Sequence, residues 1–313
     1  MSHLPLPLEL TGVRLPSESD AARVHRLGDR LRTYLAVTDP KSVSLLVFTA
    51  LAAGVVGGGL AAPARLLGIG LALALCCMGA RAVANYIDRD IDALMDRTRR
   101  RPLPSGALPP AHALLLGLGL IATGLAVAFS FGPLIVLLIA LGLADNLIVY
   151  ALLTKRTTPL SIVLGAPSGG APAFIGYVAM AGGVTLTALL LATFVMLWTP
   201  IHIWSLAIRY RDDYARASVP MLPVAVGVRR SARLIGFASL ALGALTVLFL
   251  AAAGANLVLP IATVVLGLAV ALVFGSVWLV RVPTGEHAWT LFKFTSPYLA
   301  LLFALLALNA IFV

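Results

Sequence analysis

Apolar runs long enough to cross a bilayer recur along nearly the whole chain and leave room for little else. A helix needs roughly 20 predominantly apolar residues to span the hydrocarbon. Such runs fall near 42–60, 66–92, 111–130, 134–153, 160–181, 186–208, 234–253, 257–280 and 289–313. Soluble chains carry roughly 25% charged residues. Here only 12% are charged and 60% are hydrophobic, with a mean hydropathy of +0.99, too little polar surface to cover a soluble globule. The pattern predicts an all-α polytopic membrane protein with nine transmembrane helices. Residues 1–41 then form a cytoplasmic amino-terminal segment and 42–313 the membrane domain.

Lysine and arginine set the orientation. The amino-terminal segment and the even-numbered loops with their flanks hold Arg14, Arg23, Arg26, Arg97, Arg99, Arg100, Lys155, Arg209, Arg229, Arg230, Lys293 and others, whereas the odd loops hold only Arg65. The excess of positive charge inside places the amino terminus and even loops in the cytoplasm and the carboxy terminus outside. The uncharged odd loops "FGP", "AGGVT" and "AGAN" agree. The net charge of +10 is mostly this topology signal, scattered over loops, so no nucleic-acid partner is expected. No cleavable signal peptide is visible, and 17–40 reads either as an amphipathic helix on the membrane surface or as a loosely ordered tail. Cys76 and Cys77 fit neither metal spacing nor a disulfide framework and read as small packing residues. The fifth span contains "GAPSGGAPAFIG" (165–176), whose two prolines and four glycines predict a bent helix lining the interior.

Membrane residence does not explain "NYIDRDIDALMDRT" (85–98), with four aspartates in nine residues. On a continuous helix, at about 100° per residue, Asp88, Asp92 and Asp96 share an arc of roughly 80°. Asn85 joins that face and Asp90 points away. Carboxylates about 6 Å apart repel by roughly 3 kcal/mol at an effective dielectric near 20. They also sit at the end of the helix that the dipole disfavours. A hard divalent cation held by carboxylates and a substrate's phosphates resolves the conflict. The competing interpretation is a solvated continuation of the helix, paired with Arg89, Arg97 and Arg99.

A second acidic group follows the sixth span, in "WTPIHIWSLAIRYRDDYARASVPMLP" (198–223). His202 lies in its apolar part, and Asp212 and Asp213 come ten and eleven residues later. Both acidic groups fall at the cytoplasmic ends of even-numbered helices and can face one cavity. Cations suited to phosphate surround them in sequence: Arg97, Arg101, Lys155, Arg156, Arg209 and Arg211. Arg81, Asp145 and Asn146 lie inside spans, where a polar or charged group is either structural or functional. Carboxylates for metal, cations for phosphate and apolar walls imply a substrate with a diphosphate head and a lipid tail. Metal-assisted loss of diphosphate leaves an allylic carbocation that needs a dry pocket.

These stretches resemble known motifs. "NYIDRDIDALMDRTRRRPLPSG" resembles the first aspartate motif of the UbiA superfamily of intramembrane prenyltransferases. "PIHIWSLAIRYRDDYARASVPMLP" and "YALLTKRTTPLSIVLG" resemble segments of its haem O synthase (protohaem IX farnesyltransferase) branch. The resemblance implies nine helices around a central cavity in a bacterial inner membrane. It implies Mg²⁺ on Asp88, Asp92, Asp213 and Asp212, bridging to farnesyl diphosphate. Lys155, Arg97 and Arg101 would hold the diphosphate, and Asn85, Arg156, Arg209 and Tyr214 would contact substrate. His202 matches the branch's histidine, as an iron ligand or on the vinyl side. Haem B would be the acceptor and haem O the product, with enzymes of haem A biosynthesis or oxidase assembly as partners. The chain departs from the pattern at Ala84, at "TDPKSV" (38–43), at Ser161 and at Ala217 with Ser218. A prenyltransferase acting on a quinone precursor or another tetrapyrrole, or a cation-coupled transporter, are the alternatives.

Overall fold

The computed structural model describes residues 18–253 and 258–312. Fourteen α-helical pieces make up the described chain: α1 (Glu18–Thr38), α2 (Pro40–Val56), α3 (Pro63–Ile87), α4 (Arg89–Leu94), α5 (Pro110–Phe129), α6 (Pro133–Ala144), α7 (Ser161–Leu164), α8 (Ala166–Ala181), α9 (Leu186–Arg209), α10 (Arg211–Arg216), α11 (Leu222–Val226), α12 (Val228–Ala253), α13 (Leu259–Arg281) and α14 (Gly285–Phe312). A π-helical segment, Asp145–Thr154, continues α6. Eight of the resulting helices are long and apolar enough to span a membrane. A ninth forms if Gly28–Thr38 and Pro40–Val56, bent by 54° at Asp39, count as one. The protein is therefore a multi-span all-α membrane protein. Arg14 and the "AGAN" residues 254–256 lie outside the described residues, as do the side chains of Arg23 and Arg26.

Proline in the first turn begins α2, α3, α5, α6 and α13, where its missing N–H costs nothing and its fixed φ suits the helix. Large apolar side chains such as Phe129, Leu259 and Phe274 remain more than 70% exposed, a surface suited to lipid. Inside, small residues let helices approach closely. A Cβ on Gly176 of α8 would lie 2.0 Å from the Ala50 carbonyl oxygen of α2, and one on Gly79 of α3 would lie 2.6 Å from the Gly117 carbonyl oxygen of α5.

Two breaks position the site. The second span does not run on toward Asp92 as one helix. It stops at Ile87, Asp88 takes φ −90° and ψ 0°, and α4 begins anew. The continuous face of Asp88, Asp92 and Asp96 is thereby corrected. Asp90 and Asp92 fall in the first turn of α4, where the dipole favours negative charge, instead of at the unfavourable end of a long helix. Met95 is extended, and Asp96 lies exposed beyond α4.

The second break is at Gly165, between α7 and α8. Asp145 accepts from the Ser168 backbone N–H at 2.8 Å, satisfying a donor that the first turn of α8 leaves without a helical partner. α8 lines a cavity of about 80 Å³, through Ser168 and Pro172, facing Leu73, Cys77, Arg81 and Ile139.

Candidate active site

The first acidic motif sits where α3, α4 and the residues after the π-helical segment meet. Asp88, Asp92 and Asp213 are all buried, as is Asn85. Asp88 Oδ2 accepts from the Lys155 ammonium, while its Oδ1 is buried without a hydrogen-bond partner among the described residues. The π-helical turn sets that contact. The Lys155 backbone N–H donates to the Tyr150 carbonyl, five residues back, at 2.9 Å, and Nζ lies 5.7 Å from the Tyr150 ring centroid. π-Helical insertions often re-aim a residue at a functional site.

Asp92 Oδ2 accepts from Arg101 at 2.8 Å. The same guanidinium reaches Asn85 Oδ1 at 3.3 Å, and Asn85 Nδ2 donates to the Val37 carbonyl at 2.7 Å. Thr98 donates its hydroxyl to the Asp92 carbonyl at 2.9 Å, folding the arginine-rich loop back over α4.

The second motif meets the first through that loop. The Arg97 backbone N–H donates to Asp213 Oδ2 at 3.1 Å, and its guanidinium reaches the Tyr214 hydroxyl at 3.4 Å. The guanidinium also lies 5.5 Å from the Tyr210 ring centroid. Arg216 binds both Asp213 and Asp96, the latter at 2.6 Å. Two acidic groups more than 110 residues apart in sequence are thus tied together.

Other expected residues have other surroundings. Arg156 forks onto Asp90 at 2.7 Å in both arms and donates to the Ile87 carbonyl at 2.8 Å. That fork, opposed by partial burial, holds the Asp90 carboxyl down to about 2. The same contact raises Arg156. Arg209 and Asp212 are exposed, unlike the adjacent Asp213. Arg81 pairs with Asp39 at 2.7 Å, which has a left-handed φ of 46°.

His202 lies deeper in α9, stacked between Trp198 and Phe292 at centroid distances of 4.5 and 4.3 Å. Its Nδ1 is 2.7 Å from Thr295 Oγ1. Sequence reasoning passed over Arg216, which its position three residues after Asp213 could have flagged. It also passed over Thr295, for which no local signal exists.

A family model described as the UbiA prenyltransferase family matches residues 45–308. The chain belongs to that family. It is 43% identical over 305 residues to a protoheme IX farnesyltransferase of Desulforudis audaxviator (strain MP104C), covering 94% of this chain and 96% of that one. It is 40% identical to a protoheme IX farnesyltransferase of Thermoplasma acidophilum, over 87% and 95% of the two chains. Solved UbiA structures share the fold. A UbiA homolog from Aeropyrum pernix K1 superposes with a TM-score of 0.68 at 23% identity, covering 86% of this chain and 98% of that one. One from Archaeoglobus fulgidus, bound to GPP and Mg²⁺, gives 0.61 at 18%, covering 88% and 99%.

The donor set of this UbiA member suits a hard divalent cation. It offers buried carboxylate oxygens, one of them an orphan on Asp88. Among the described residues no three Asp, Glu, His or Cys side chains converge into a cage of their own. A hard cation can be bound by one or two carboxylates and completed by substrate phosphates.

Proposed function

We propose that this UbiA family member transfers the farnesyl group of farnesyl diphosphate to a vinyl group of haem B, giving haem O and diphosphate. The observation that carries the prenyl-transfer half is the joining of the two acidic motifs by Arg97 and Arg216. The likeness to protoheme IX farnesyltransferases over nearly the full chain selects the acceptor.

Asp88, Asp92 and Asp213 would supply carboxylates to Mg²⁺, one or two to an ion with substrate phosphates completing the shell, and the metal would neutralise charge on the departing diphosphate. Asp212, exposed beside the buried Asp213, would be the fourth carboxylate of this set. Lys155, Arg101 and Arg97 bind the diphosphate oxygens, and each now rests on a carboxylate or a tyrosine from which phosphate oxygens would draw it. Asn85 holds Arg101 in place, and Tyr214 holds Arg97. Arg156 supports the site by locking α4 to the end of α3.

In the reaction the carbon–oxygen bond to diphosphate breaks, and the vinyl carbon forms a new bond to the farnesyl carbon. The cation left beside the pyrrole takes up water and loses a proton. Apolar packing around the site keeps other water from the farnesyl cation.

The protein acts in a bacterial cell membrane with its amino terminus in the cytoplasm, and haem A biosynthesis or oxidase assembly would consume its product.

The test uses purified protein in detergent with Mg²⁺, farnesyl diphosphate and haem B, read by mass spectrometry. A haem adduct heavier by farnesyl plus water is expected, lost with EDTA, restored by Mg²⁺, and absent in Asp88→Asn and Asp92→Asn. Prenylation of a different ring acceptor, with haem untouched, would overturn the haem half. An undiminished rate with EDTA would overturn the metal half.

A further inference from the structure

Thr295 comes from α14, 93 residues after His202, and touches α9 twice. Its carbonyl accepts from Trp198 Nε1 at 2.7 Å, and its hydroxyl meets His202 Nδ1 at 2.7 Å. That hydroxyl also lies 2.6 Å from the Phe292 carbonyl oxygen on its own helix. A threonine hydroxyl has one proton and two lone pairs, and a carbonyl oxygen only accepts. Two oxygens 2.6 Å apart repel unless a proton lies between them, so the Thr295 proton belongs to Phe292. Toward His202 the hydroxyl can then only accept. The imidazole must carry its proton on Nδ1, which leaves the lone pair on Nε2, for which no hydrogen-bond partner occurs among the described residues. Trp198 and Phe292 cover the two ring faces, so ring rotation cannot exchange the nitrogens. His202 lies about 10 Å from the Arg209 end of α9, at the helical rise of about 1.5 Å per residue. That is two turns before the end of α9, and the Asp213 motif follows in α10.

We propose that Thr295 is a positioning residue that fixes His202 as the Nδ1–H tautomer and thereby presents the Nε2 lone pair to the iron of the haem acceptor. The tautomer stands on the hydrogen-bond geometry alone, and only the iron rests on the haem function proposed above. Histidines that bind metal generally donate their second ring N–H to a fixed acceptor, and losing that acceptor weakens metal binding by about 10- to 100-fold.

Two measurements separate the parts. Nitrogen NMR of protein labelled at its five histidines, with His202→Gln to assign the signal, reads the tautomer without haem. Nδ1–H is expected in the wild type and in Thr295→Ser, and a mixture in Thr295→Val. A wild-type Nε2–H signal would overturn the proposal, and that result needs no variant to fold. Titration with ferric haem B, followed by absorption and electron paramagnetic resonance, reads ligation. A histidine-ligated spectrum is expected, with affinity about 10- to 100-fold lower in Thr295→Val and restored in Thr295→Ser. Haem bound with equal affinity and an unchanged spectrum in Thr295→Val and His202→Gln would overturn the iron role. If the wild type bound no haem while keeping the Nδ1–H signal, the haem function would fail and the positioning by Thr295 would survive.

Discussion

Replacing Lys155 with methionine removes the cation hydrogen-bonded to Asp88 while keeping similar volume. The two side chains are only 12% and 10% exposed, so solvent screens the pair weakly. At a separation of about 3 Å and an effective dielectric near 20, Coulomb attraction is about 5 kcal/mol. Asp88 Oδ1 already lacks a hydrogen-bond partner among the described residues, so Lys155→Met leaves neither carboxylate oxygen with one there. Removing one member of a buried pair costs about 3–5 kcal/mol, and the lower end applies if water reaches the freed oxygen. Asp88→Asn in the same background removes the stranded charge. The double variant is expected to regain all but about 1 kcal/mol, because replacing a buried pair with neutral groups is often close to neutral. The four proteins form a double-mutant cycle, measured by equilibrium unfolding in mixed micelles with circular dichroism and by turnover. Asp88→Asn alone strands the Lys155 ammonium in the same way, so a coupling of about 3 kcal/mol or more is expected, with turnover lost in all three variants. Strictly additive losses would refute the direct pairing of Lys155 with Asp88. Wild-type turnover in Lys155→Met would remove Lys155 from diphosphate binding.

Asp90 gives a pH-dependent counterpart. Its carboxyl is held near 2 by Arg156, so the pair's contribution is fully present above the ordinary carboxylate pKa of about 3.9. That contribution is lost as pH falls from there through 2. Asp90→Asn should flatten the stability profile between about pH 4 and pH 2. At neutral pH it should cost less than about 1 kcal/mol, because Asp90 is 62% exposed; a large neutral-pH loss would show that Asp90 has another role. Gly176→Ala places a methyl group 2.0 Å from the Ala50 carbonyl. It should force α2 from α8 and cost about 1–3 kcal/mol, read as a lower unfolding midpoint, and an unchanged midpoint would mean that the contact relaxes freely. Asp213→Asn should weaken the docking of the arginine-rich loop as well as stop turnover, seen as faster hydrogen exchange at Arg97, whose N–H it holds. Unchanged exchange would show that the loop is held elsewhere.

Much was legible locally. The long apolar runs name the spans, because a bilayer demands about 20 apolar residues wherever the chain crosses it. The proline–glycine run at 165–176 signals a broken helix. The two aspartate groups and Lys155 stand out because charge beside apolar helices is costly without a partner. Periodicity alone carried Asp88, Asp92 and Asp96 onto one helical face, whereas the structure breaks the helix at Asp88 and relieves the charge at the dipole's wrong end. Which cation meets which carboxylate was not legible. Lys155 reaches Asp88 across 67 residues, Arg97 reaches Asp213 across 116, and Thr295 reaches His202 across 93. Such pairings follow from how whole helices pack, and small residues such as Gly176 and Gly117 decide that packing by how closely two backbones can approach. The sequence by itself therefore determined which groups had to find partners in an apolar medium. The tertiary structure chose the partners, because distance in space depends on the packing of the bundle and not on spacing along the chain.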